Sequence, residues 1–160
     1  MDPAKKEERY RRIFLQVKEL FLKPGDLDSR LSTITAILHH KMDYFFWTGF
    51  YLLREGELLV RTYQGPLACQ HLKKDTGVCW AGINSRKTIV VPDVHQFPGH
   101  IACDSRSNSE IVVPLTDPSG QIVGVFDADS KDFAAFDDTD AVWLEKIIDL
   151  AFSQPFLTVK

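Results

Sequence analysis

Two pairs of β-rich segments, each joined by a short polar turn, constrain this chain most. "FFWTGFYLL" (45–53) is aromatic and β-prone, and Glu55-Gly56 breaks it from "ELLVRTYQG" (57–65). That is a hairpin signal. "EIVVPL" (110–115) and "QIVGVFDA" (121–128) form a second pair around "TDPSG", a polar turn with Pro118 and Gly120. Short turns between consecutive strands imply antiparallel pairing. "TIVVPDV" (88–94) adds a shorter strand, ending by His95, and a loop rich in Pro, Gly, His and Ser covers 95–108.

Helical patterns bracket these strands. Residues 4–22 place Ile13, Val17, Leu20 and Phe21 on one stripe, and Pro24-Gly25 stops the run. Leu27, Leu31, Ile34 and Leu38 line a second helix over 27–42, which Asp26 or Asp28 can cap. Gly77 and Gly82 flank a possible short helix within the mixed stretch 66–87. A last helix over 138–153 carries Val142, Leu144, Ile147, Ile148 and Ala151 behind an acidic start at Asp137 to Asp140. The order helix, helix, strands, helix reads as an α+β domain whose terminal helices cover one sheet face. At 160 residues the chain fits one domain with one core.

Charge excludes some partners. A net charge of −3 leaves no footprint for nucleic acid or an anionic membrane. Lys5, Lys6, Arg9, Arg11 and Arg12 are interleaved with Glu7 and Glu8, which reads as a solvated helix face. No apolar run reaches the roughly 18–20 residues of a membrane span. The start "MDPAKKEERYRR" has no apolar stretch of the signal-peptide kind, so a cytoplasmic location is expected.

Three cysteines in such a chain are expected to be thiols, and an odd count argues against a purely structural disulfide set. Cys103 sits in "GHIACDSRSNSEIVVPL" (99–115), a turn crowded with small polar residues and three residues after His100. A reactive thiol needs exposure and local help in ionising. Asp104 and Glu110 would oppose that ionisation if close. Cys69 and Cys79 lie in a second loop-like stretch, "GPLACQHLKKDTGVCW" (65–80). A nucleophile with resolving partners is one reading of the three, and unrelated buried thiols are the other. Cys69, His71, Cys79, His95, His100 and Cys103 offer a zinc reading, but none falls in a CxxC-type spacing.

"FDADS" (126–130) places Asp127 and Asp129 two residues apart at a strand end, so both project from one face. With Glu110 they would make an acidic pocket for a cation such as an ammonium group. The alternative is a polar strand end facing water. Trp47, Tyr51 and Tyr63 are candidate pocket walls, or core aromatics.

Together, "WTGFYLL", "QGPLAC", "GVC", "VPDVHQFPGHIACDSRSNSEIVVPL" and "GVFDADS" resemble the free methionine-(R)-sulfoxide reductases, which are built on a GAF domain. The blocks occur in order over about 30 to 152. The resemblance implies a GAF-like fold: a central six-stranded antiparallel sheet flanked by N- and C-terminal helices. Within one GAF domain over 1–160 it sets an N-terminal helix and connector at 1–25, a core at 26–153 and a tail at 154–160. It implies thiol-dependent reduction of free L-methionine-(R)-sulfoxide through a cysteine sulfenic acid and an intramolecular disulfide.

Residue by residue, Cys103 matches the nucleophile, Cys69 the usual resolving cysteine, and Cys79 a third cysteine of variable role. Trp47 and Tyr51 match pocket-lining residues. Glu110, Asp127 and Asp129 match its carboxylates, with Glu110 or Asp127 the candidate proton donor to the sulfoxide oxygen. The resemblance further implies no bound cofactor or metal, thioredoxin or a similar dithiol as external reductant, and a homodimer. Trp80 departs from the small residues usual after "GVC" and puts the loop holding Cys79 in question. The alternative is a non-catalytic GAF module that senses a small molecule or redox state.

Overall fold

A computed structural model describes residues 1–100 and 103–158. Ile101 and Ala102, inside the 95–108 loop, and Val159 and Lys160, at the end of the 154–160 tail, lie outside the described residues. The order is α1 (Pro3–Leu20), α2 (Leu27–Lys41), β1 (Trp47–Arg54), β2 (Glu57–Gln64), β3 (His71–Leu72), α3 (Gly77–Ser85), β4 (Ile89–Val91), β5 (Ser109–Thr116), β6 (Ile122–Ser130) and α4 (Asp138–Asp149). The strands form one sheet in the order β3-β2-β1-β6-β5-β4, and each pair is antiparallel.

Both hairpins expected from the turns are present, as β1–β2 and β5–β6. The long-range β1–β6 pairing joins them at the centre, with Phe50 opposite Phe126. One sheet face meets α1, α2 and α4 through Phe50, Leu52, Ile111, Val113, Leu115, Phe126 and Ala128. Each large apolar side chain fully buried this way contributes about 1.5–3 kcal/mol. The other face carries a smaller cluster in which Val78, Cys79 and Trp80 of α3 pack with Val112 and Val125.

Several local expectations change. On α1, Lys6 is buried rather than solvated. Its Nζ donates to Asp140 Oδ2 at 2.6 Å and to Asp137 Oδ2 at 3.0 Å. Tyr10, Tyr44 and the Asp137 N–H also donate to Asp140, so four residues satisfy one buried carboxylate. Leu20 and Val142, placed on apolar stripes, are exposed. The final helix is shorter than expected and ends in a 3₁₀ turn over Leu150–Phe152. The strand read over 88–94 covers only Ile89–Val91. Pro92 has no N–H to continue a ladder, and Asp93 caps a 3₁₀ turn over Val94–Gln96. Asp26, not Asp28, caps α2 by accepting from the Ser29 N–H. No helix of the described residues is long and apolar enough to cross a membrane.

Candidate active site

Strand register assembles the pocket on the face covered by α3. Asp129 pairs with Trp47 on one side and Glu110 on the other. Two residues along β6, Asp127 pairs with Gly49 and Val112. Alternation therefore projects Asp127, Asp129, Glu110, Trp47 and Tyr51 from the same face, and all five line one pocket. Gly49 is required there. A Cβ at that position would stand 2.5 Å from the Tyr63 Cβ and 2.7 Å from the Trp47 ring. Its absence lets the indole lie between Tyr51 and Tyr63, stacked at centroid distances of 5.8 and 5.4 Å. Tyr63 thus supports Trp47 from behind and is not among the pocket-lining residues.

Three segments complete the walls. The 65–70 loop brings Leu67 and Ala68, α3 brings its first turn, and the 97–108 loop brings His100, Cys103, Asp104 and Ser107. Cys69 and Cys103 join these two loops in a disulfide, with Cα atoms 5.6 Å apart. Cys103 is exposed and Cys69 half-buried. Arg106 fixes the chain just beyond Cys103: its backbone N–H and its guanidinium donate to Asp104. The same guanidinium lies over the Phe46 ring at 4.9 Å. Those hydrogen bonds hold the Asp104 carboxyl down at about 2.

Cys79 differs from its placement in the sequence reading. It lies in the first turn of α3 rather than in a loop, and it is the buried free thiol. Trp80 does not disturb it. The indole is buried, its Nε1 donates to the Leu72 carbonyl at 3.1 Å, and it ties α3 to β3 outside the pocket lining.

The electrostatics follow from burial of like charges. Glu110 and Asp127 are 5% and 6% exposed. Burial raises both carboxyls above their ordinary range, and each is raised further by a neighbouring carboxylate, Asp129 for Glu110 and Glu110 for Asp127. Asp129 is raised by burial and then by Asp127, against a lowering hydrogen bond with Ser107. The Cys79 thiol is pushed up by burial and then by Asp127 and Glu110. Tyr51 moves up by burial and then by Asp127, and stays a phenol. His100 moves down on burial, and its Nε2 stands 3.4 Å from Glu110 Oε2. The Oδ1 atom of Asp127 is buried without a hydrogen-bond partner. Such a floor suits a cation, and it holds protons that can be donated.

A GAF domain model matches residues 25–151. The chain is 43% identical over 146 residues to GAF domain-containing protein A of Dictyostelium discoideum, covering 91% of each. It is 40% identical over 118 residues to the free methionine-R-sulfoxide reductase of Escherichia coli, covering 74% of this chain and 71% of that one. The X-ray structure of a free methionine-R-sulfoxide reductase from Neisseria meningitidis, in complex with its substrate, superposes with a TM-score of 0.84 at 40% identity. That match covers 89% of this chain and 85% of the other. The chain belongs to the free methionine-R-sulfoxide reductase family. It is an oxidoreductase of that type on a GAF fold, with the six-stranded antiparallel sheet and flanking helices expected from the resemblance.

For a free methionine-R-sulfoxide reductase, sequence reasoning missed the first turn of α3. Thr76, at its N-cap, makes no side-chain cap, so the leading N–H groups beside the pocket lack that partner. Gly77 and Gly82 signalled a short helix, but only the fold shows its N-terminus bordering the carboxylates. Gly49 was missed too, although a glycine inside a strand pattern signals close approach of a neighbour.

Proposed function

We propose that this chain reduces free L-methionine-(R)-sulfoxide to methionine by thiol chemistry at Cys103. The observation that carries the reading is the Cys69–Cys103 disulfide at the rim of a pocket floored by Glu110, Asp127 and Asp129. A free amino acid carries an ammonium group that peptide-bound methionine lacks, and the carboxylates reward it. The first-turn N–H groups of α3 offer the substrate carboxylate a positive helix end. Trp47 and Tyr51 take the apolar side chain.

In the reaction the Cys103 sulfur attacks the sulfoxide sulfur, and Glu110 or Asp127 protonates the oxygen. The sulfur–oxygen bond of the substrate breaks, methionine leaves, and Cys103 becomes a sulfenic acid. The Cys69 thiol then condenses with it, forming the disulfide and releasing water. A dithiol of the thioredoxin kind supplies two electrons and two protons to restore both thiols. This reading extends to a cytoplasmic homodimer, as the family resemblance implies.

The test is incubation of the protein with free methionine sulfoxide and a dithiol, with the diastereomers resolved. Selective loss of the R form is expected, and Cys103→Ser abolishes it. Binding of the sulfoxide without turnover would instead make the chain a sensing module.

A further inference from the structure

The reaction above uses Cys69 and Cys103 and leaves Cys79 without a task. We infer that Cys79, Glu110 and Asp127 form a binding site for zinc at the pocket floor. Their donor atoms, one sulfur and two carboxylate oxygens, all lie within 4.8 Å of one another. Tetrahedral zinc, with bonds of about 2.0–2.3 Å, holds its donors about 3.5 Å apart. Rotation of side chains by an ångström or so closes the set. The donors come from α3, β5 and β6, three elements packed against each other, so the frame is fixed by the fold.

A second observation, at one member of that set, points to a ligand. Asp127 Oδ1 is buried and lacks any hydrogen-bond partner, which is costly unless something in the pocket meets it. A thiolate among carboxylates selects zinc over magnesium or calcium, which favour oxygen alone. Binding replaces the Cys79 thiol proton with the metal and neutralises carboxylates that otherwise repel one another. The ion then occupies the place of the substrate ammonium, so zinc is an inhibitor. That last consequence rests on the function proposed above, whereas the binding does not.

The test uses the full chain in its disulfide form, stripped of metal, where Cys79 is the remaining free thiol. Titration with zinc chloride is expected to show one equivalent bound. Cys79→Ser and Asp127→Asn each weaken it at least about tenfold. Because Cys79→Ser changes a buried side chain and could lose stability, cobalt(II) is added to the wild-type protein as a spectroscopic stand-in. One equivalent should give the intense visible bands of a tetrahedral site and a thiolate charge-transfer band. Absence of stoichiometric binding, unchanged affinity in Cys79→Ser, or cobalt spectra without the thiolate band overturns the site. Single-turnover assays of pre-reduced enzyme freed of reductant separate the two readings. Zinc binding without any reductase activity would leave the site standing and remove the function. An active enzyme that zinc does not slow would overturn the inhibition.

Discussion

Glu110 and Asp129 face one another directly across the β5–β6 ladder, with Asp127 two residues along on the same face. Like charges opposite each other destabilise a sheet, and burial compounds the effect. All three carboxyls accordingly titrate above their ordinary range, burial being the first cause. In the unfolded chain they lose protons near pH 4, so between there and their raised folded values the native state binds more protons. The stability this contributes is complete below the unfolded value and is lost as pH rises through the folded ones. Asp127→Asn in metal-free protein should therefore raise Tm at pH 8, by about 2–4 °C for each ~1 kcal/mol recovered. The gain should shrink toward pH 5. Calorimetry at both values checks it, and a Tm lowered at pH 8 contradicts it.

The same substitution should damage function. Loss of the ammonium partner and of a candidate acid is expected to lower kcat/KM for free methionine-(R)-sulfoxide by about 100-fold or more. Glu110→Gln should behave alike. A variant that is more stable yet nearly inactive would show that the fold tolerates this strain for the sake of the site. Steady-state kinetics on both variants decides the point; activity within a few-fold of wild type would remove the carboxylates from the chemistry.

Some of this was legible in the sequence, for physical reasons. Period-two alternation is local, so Asp127 and Asp129 could be put on one face from "FDADS" alone. That Glu110 joins them depends on β5–β6 register, and that Trp47 does depends on the β1–β6 pairing. Neither follows from spacing. The Lys6 misreading has the same origin: its partner Asp140 lies 134 residues away, and a lysine among charges looks solvated until that contact forms. Cys79 was read in a loop-like stretch even though Gly77 and Gly82 signalled a short helix, because nine residues are too few to display a helical period. Packing of Val78, Cys79 and Trp80 in the cluster with Val112 stabilises the helix anyway. The cysteine roles came from the resemblance rather than from spacing.

Lys6 supports a prediction on stability alone. Its ammonium satisfies Asp140 in the buried seam between α1 and α4, away from the pocket. Lys6→Met would leave the Asp140 carboxylate without its cation, keeping only the two tyrosine hydroxyls and the Asp137 N–H. Breaking one half of a buried pair costs about 3–5 kcal/mol. Urea denaturation should show a loss of that size with KM for the sulfoxide unchanged. A loss below about 1 kcal/mol would mean that the tyrosines suffice.

Gly49→Ala probes the aromatic wall. The added methyl would meet Trp47 at 2.7 Å and Tyr63 at 2.5 Å, closer than side chains pack. The indole must move off its stacked position, and substrate contacts move with it. KM should rise several-fold while kcat falls less, together with a modest drop in Tm. An unchanged KM would separate Trp47 from substrate binding.

The cysteines should react in a fixed order. Cys79 is buried, and its thiol is held protonated by burial and by Asp127 and Glu110, so little thiolate is available. Cys103 is exposed. In the reduced protein near neutral pH, iodoacetamide should label Cys103 first and Cys79 at least about 100-fold more slowly. After one equivalent of free methionine-(R)-sulfoxide, peptide mapping should find Cys69 and Cys103 linked and Cys79 still a thiol. Denaturation before labelling should then expose that one thiol and no other. A Cys79–Cys103 linkage would transfer the resolving role to α3 and require its first turn to unwind, because Cys79 is packed beneath the pocket rather than at its rim.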